Sequence, residues 1–165
     1  MKFITALCIA AGIVMPARAQ IKITCGIQSF SIDAKKISAI SQIDPQTKVE
    51  TTTTFYYKLF PDKLKLWMEI KDQVTRSFAW YEIAKKDIDA AASQEIAVYD
   101  QQEFTAPVKT LYIKCAKGKK DVHATGYTDW SDKPDAFPGS FIYISSYNEQ
   151  ELENLRKEIN IWLKP

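Results

Sequence analysis

Glycine is scarce, with 5 residues in 165. A phosphate-cradling loop needs several glycines within a few positions, so that chemistry is excluded. Histidine occurs once, at His123, which excludes His-rich metal sites. A Ser-His-Asp relay would have to use this one imidazole. It sits at the outward parity of an alternating run beside Lys119, Lys120 and Asp121, and no serine lies in a G-x-S-x-G turn. His123 therefore reads as a solvated strand-end residue. Cysteine occurs three times and never as C-x-x-C. An excess of one charge sign is also missing. The formal net charge of +2 is accounted for by Lys2 and Arg18, and the remainder is neutral. A neutral, mixed-sign surface lacks the positive field that general nucleic-acid binding needs.

The one long apolar run is Phe3 to Met15, too short to span a bilayer. Lys2 precedes it, Pro16 breaks it, and Ala17-Arg18-Ala19 supplies the small residues of a signal-peptidase site. Residues 1–19 are expected to be a signal peptide, with a mature chain from Gln20 that is secreted or periplasmic. No transmembrane segment is expected. Residues 20–165 are long enough for one domain and too short for two ordinary ones. Hydrophobic residues at 46% exclude a disordered chain.

Cys25 and Cys115 remain after cleavage. Each alternates with apolar neighbours, Ile21, Ile23 and Ile27 for one, Leu111 and Ile113 for the other. Both sulfurs should therefore face a buried side. In an oxidising compartment this even pair is expected to form a disulfide. Closing a loop of about ninety residues would remove about 4–5 kcal/mol of unfolded-chain entropy.

The mature chain reads mostly as strand. Ile21 to Ile27 alternates, and the phase slips near Gln28-Ser29, as a bulge or tight turn would make it. Strands follow at 37–43, 51–60 and 63–71, the last two forming a hairpin around Pro61-Asp62. In 63–71, Leu64, Leu66, Met68 and Ile70 face inward, and Lys65, Trp67 and Glu69 face outward. Phe78 to Ile83 is apolar on both parities, as a central strand with both faces covered would be. Residues 84–95 permit a short helix before a strand at 96–99. Strands at 108–116 and 122–128 flank Lys117-Gly118-Lys119-Lys120 and read as another hairpin. Residues 130–139 read as a loop, and 141–145 as the last strand. Asn148, with Glu151 three residues on, caps a helix over 148–164 whose stripe is Leu152, Leu155, Ile159, Trp162 and Leu163. Its polar face carries both signs, so the stripe is expected to pack on the protein rather than on a membrane.

These elements predict a mostly β fold with a C-terminal α-helix. Seven to nine antiparallel strands in meander order make a barrel or strongly curved sheet, closed by one amphipathic helix. The closing strand and helix with Trp162 resemble the final unit of pleckstrin-homology-like barrels. The likeness covers about 25 residues and implies a fold of that kind and no activity.

No catalytic set emerges. Glu69, Glu82 and Glu103 are the acids a glycoside hydrolase would draw on, and nothing distinguishes one from another. Asp129, Asp132 and Asp135 recur every third residue but lack EF-hand spacing and glycine, and read as a turn-forming loop. Trp130 and Phe137 on that loop, with Asp132, are candidate partner contacts. Trp67 is a fourth, because an outward tryptophan either packs under the helix or makes a sticky patch. Lys114, Lys117, Lys119 and Lys120 form a solubilising hairpin tip. No metal or cofactor is expected. The first functional expectation is an exported, non-catalytic protein-binding module of the inhibitor or immunity type, acting by occluding its partner. The alternative is a carrier of a lipid or small apolar ligand, and the third a hydrolase using carboxylates.

Overall fold

The computed structural model describes residues 20–90, 96–99, 104, 106–116, 121–129 and 135–165, without the side chains of 98, 99, 135 and 137. The leader expected over 1–19, Trp130, Asp132, Glu103 and the lysines at 117–120 lie outside the described residues, as does the side chain of Phe137.

Among the described residues the fold has eleven strands, a short 3-10 turn at Lys85–Asp87 and one α-helix: β1 (Ile21–Cys25), β2 (Gln28–Ile32), β3 (Lys35–Ile43), β4 (Glu50–Leu59), β5 (Lys63–Lys71), β6 (Arg76–Ala84), β7 (Ile96–Tyr99), β8 (Val108–Lys114), β9 (Val122–Thr128), β10 (Asp135–Gly139), β11 (Phe141–Ser146) and α1 (Glu149–Leu163). All pairings are antiparallel. A six-stranded sheet runs β10-β9-β6-β5-β4-β3, a three-stranded sheet β11-β8-β7, and β1-β2 stand as a separate hairpin. Among the described residues no sheet closes into a barrel, and the structure does not bear out the likeness to pleckstrin-homology-like barrels.

Local chemistry explains the turns. The carboxylates of Asp44 and Asp72 each accept backbone N–H groups two and three residues on, which nucleates the β3–β4 and β5–β6 connections. The slip at Gln28 is a two-residue turn at Gly26-Ile27. Gly26 takes φ +56°, the positive value that the first turn residue needs there. Asp129 pins this turn, its carboxylate accepting the N–H of Gly26 at 2.7 Å and that of Arg76.

Two strand assignments change. β8 and β9 do not form a hairpin: β8 pairs with β11 and β7, and β9 pairs with β6 and β10. Residues 135–139, read as loop because of Pro138 and Gly139, form the edge strand β10, where proline costs no inner ladder bond. The meander therefore holds only from β3 to β6.

The six-stranded sheet carries a core on each face. On one face Phe55, Leu64, Leu66 and Ile83 pack with Leu111, Ile113, Ile142 and Ile144 of the small sheet and Leu152, Leu155 and Ile159 of α1. On the other, Tyr56, Trp67 and Phe78 are covered by Ile23, Cys25 and Ile32 of the β1–β2 hairpin. Trp67 does face away from the main core, but it is buried at 7% exposure. What covers it is the hairpin, not the C-terminal helix. It offers no surface to a partner, so the candidate contact at Trp67 is withdrawn.

The helix cap is built as its sequence implies, with one relay added. Asn148 accepts the N–H of Gln150 at 3.0 Å. The Asn148 N–H reaches Ser146, whose hydroxyl donates to Glu151 at 2.6 Å. Ser146 thereby stands between the two members of the capping box.

The expected disulfide is not formed; Cys25 and Cys115 are separate buried thiols. Cys25 lies at the Arg76 end of β6, its thiol donating to the Arg76 carbonyl at 3.2 Å. Cys115 lies at the other end, bridged to Ile88, just past the Ala84 end of β6. The eight-residue offset between Arg76 and Ala84 is about 26 Å of strand, far beyond disulfide reach. The thiols also belong to opposite cores. Alternation told each sulfur that it faced a buried side, but not which of two cores that side belonged to. Burial, with Asp129 beside it, pushes the Cys25 thiol up to about 11, and burial raises Cys115 as well. Both should resist a maleimide in the native protein and react fully in denaturant, with no change in peptide mass at Cys25 or Cys115 on reduction. A mass linking the two peptides, lost on reduction, contradicts this arrangement.

Candidate functional site

An aromatic-lined concave surface lies where β11 meets the six-stranded sheet. β11 alternates Phe141, Tyr143 and Ser145 on one face with Ile142, Ile144 and Ser146 on the other. The isoleucines enter the main core, which fixes the opposite face as an aromatic wall. Opposite them in register stand Lys114, Tyr112 and Thr110 of β8. Tyr112 meets Phe141 edge-on at 5.7 Å between ring centroids, and Tyr143 meets Phe55 of the large sheet at 6.5 Å. The base of the wall is set by Thr110 and Ser145, whose buried hydroxyls share a hydrogen bond at 2.8 Å.

Two open lobes flank this wall. One, of about 330 Å³, is lined by Phe104, Val108, Thr110, Tyr112, Phe141, Tyr143 and Ser145. The other, of about 410 Å³, adds Met68 and Tyr81 of the large sheet and Pro138 at the end of β10. Phe141 and Tyr143 belong to both and remain 47% and 43% exposed. Among the described residues no acid or base lines either lobe; the Lys114 ammonium stands 5.7 Å from the centre of the Tyr112 ring. Burial, and Tyr143 nearby, raise the Tyr81 phenol, which therefore stays a neutral hydrogen-bonding group.

A charged groove of about 430 Å³ lies at the other end of β3, between that strand, β4 and α1. Lys35 donates to Glu158 at 2.6 Å, the Tyr57 hydroxyl donates to the same carboxylate, and Lys58 pairs with Asp33 at 2.5 Å. Burial pushes Glu158 up, but the bonds from Lys35 and Tyr57 outweigh it and leave the carboxyl below its ordinary range. The Glu158 hydrogen bond raises Lys35, and burial raises Tyr57. The three groups hold one another as carboxylate, ammonium and neutral phenol. That makes a staple from α1 to the sheet, not an acid–base pair.

Two of the carboxylates considered for hydrolysis, Glu82 and Glu69, are likewise engaged. Glu82 is held by Lys63 at 2.9 Å and Lys65 at 2.7 Å; burial raises it and these bonds outweigh the rise. Glu69 pairs with Arg76 at 3.4 Å. His123 is exposed on the hairpin side of the sheet, opposite Glu82 in register. Lys65 also lies 5.3 Å from the ring centres of both Trp67 and Trp80. Trp80 is half-buried in a ring cluster with Phe30, Phe78 and Tyr127. These aromatics cement the hairpin to the sheet.

The aromatic wall is not among the sites read from the sequence, in which 141–145 stands only as the closing strand. Its signal is there: Phe141 and Tyr143 are large and apolar on the parity opposite Ile142 and Ile144. Comparison with protein-family models, with curated proteins and with solved structures finds no match.

Proposed function

We propose that this is an exported, non-catalytic protein-binding module of the inhibitor or immunity type, which occludes its partner through the Phe141–Tyr143 wall. The observation that carries this reading is a pair of half-exposed rings set between two open lobes. Rigid aromatics in such settings supply most of the energy at protein interfaces. Ion pairs engage Glu69 and Glu82, two of the three acids on which the hydrolase alternative would draw. A carrier would favour an enclosed cavity, and both lobes open to solvent. Export is inferred from the leader. Among the described residues no helix is long and apolar enough to cross a membrane.

Photo-crosslinking tests the reading. Benzoylphenylalanine in place of Tyr143 should capture one protein from the exported fraction, while the same probe at exposed Val74 captures none. Truncating a central aromatic anchor costs about 2 kcal/mol, so F141A should weaken capture about thirtyfold. A lipid adduct, or equal capture at Val74, overturns the proposal.

A further inference from the structure

The edge of β11 adds a second recognition element beside the wall. In an antiparallel pair, alternate residues direct both N–H and C=O toward the neighbouring strand. The Cys115 N–H donates to the Ser140 carbonyl at 2.8 Å, so residues 140, 142 and 144 face β8. Phe141, Tyr143 and Ser145 must then direct their backbone groups away from it. Two other bonds agree. The Ser145 carbonyl accepts the Ser38 hydroxyl of β3 at 2.6 Å. The Lys114 carbonyl, opposite Phe141, accepts from Asp89 on the far side of β8.

β3 does not continue this edge. Its contact with the end of β11 is made by side chains, Ser38 on Ser145 and the Tyr147 hydroxyl on the backbone of Ser41. No ladder joins the two strands among the described residues. The outward N–H and C=O of Phe141 and Tyr143 consequently have no protein partner among the described residues, and both residues are solvent-accessible. An unpaired edge of this kind is a template for another strand.

We propose that the partner docks by adding an extended segment to this edge of β11, with uncharged apolar or hydroxyl side chains alternating into the two lobes. The proposal rests on the protein-binding reading and specifies its mode. Main-chain bonds would supply affinity, and alternate side-chain pockets selectivity. Charge decides the composition of the occupant. Among the described residues that line the lobes there is no acid or base, so an ionic side chain buried against them would lose its water with no counter-ion in the lining. A lipid tail fits the rings but leaves the edge amides unanswered. The Ser38–Ser145 bond ends the ladder, so the added strand spans about three residues, or about 10 Å.

The experiment uses the full chain and a short acetylated, amidated peptide alternating threonine with valine and tyrosine. Amide exchange is read by residue. At twice the dissociation constant, exchange at Phe141 and Tyr143 should slow about threefold, with no change at Ile142. Of two versions N-methylated on alternate residues, one should protect like the parent and the other should fail. Equal protection by both versions, protection by a fatty acid instead, self-association through β11, or no protection at any soluble concentration each overturns strand addition. Photo-capture of a protein at Tyr143 without amide protection leaves the binding reading standing and removes only this mode. Loss of both removes both.

Discussion

Trp67→Ala should lower the unfolding free energy by about 3–5 kcal/mol, the range for removing a buried large aromatic. The indole is the floor beneath the β1–β2 hairpin, in contact with a cluster that includes Ile23, Cys25, Tyr56 and Phe78. A two-stranded hairpin is marginal on its own and depends on such packing. Its other anchors include the Asp129 bond to Gly26 and the Arg76 guanidinium on the Thr24 carbonyl, both at exposed positions, the Cys25 thiol on the Arg76 carbonyl, and the Phe30 ring against Phe78, Trp80 and Tyr127. Truncation should also free the Lys65 ammonium from one of its two rings. Urea unfolding gives the size of the effect, and faster amide exchange confined first to β1 and β2 gives its location. A loss below about 0.5 kcal/mol would mark Trp67 as a surface residue and contradict the packing described above.

Leu152→Ala should cost about 2–5 kcal/mol. Leu152 is fully buried, and α1 fills the angle between the small sheet and the main face of the large one. The same change at Ile161, 69% exposed on the same helix, should stay within about 0.5 kcal/mol. If the apolar stripe served a membrane surface instead, the two leucine-sized truncations would be equally mild in solution. Trp67 and Leu152 lie in different cores, so the double variant should lose nearly the sum of the single losses, within about 0.5 kcal/mol. A large coupling would mean that the six-stranded sheet transmits packing strain from face to face.

Residue periodicity carried much of this fold. Leu64, Leu66, Met68 and Ile70 form the main face of β5 as their spacing requires, and Phe78 to Ile83 is the doubly covered central strand that apolar residues on both parities imply. Asn148 and the stripe from Leu152 to Leu163 specify α1 nearly to the residue. All of these depend on neighbours within a turn or along a strand. The failures share a different cause. Lys117 to Lys120 looks like a hairpin tip, yet β8 takes β11 as its neighbour, because Ile113 and Leu111 find Ile142 and Ile144. Proximity in the chain does not outweigh burial of an apolar face.

The candidate cleft shows the same limit. Phe141 and Tyr143 are legible as aromatics at strand parity, but Met68, Tyr81 and Phe104 join them from distant positions. Which side of β11 is left unpaired cannot be read from 141–146 at all.

By itself, the order of residues determined the β-rich class, the turns at Asp44 and Asp72, the terminal helix, and the burial of Cys25, Cys115 and the main apolar faces. Only the tertiary structure decided which elements cover each side of the large sheet, that the two thiols belong to opposite cores, and that the rings of Phe141 and Tyr143 stay half exposed. The reason is one of symmetry. A strand's alternation distinguishes its two faces but does not label them, and the label comes from whichever distant element gains most by covering each one.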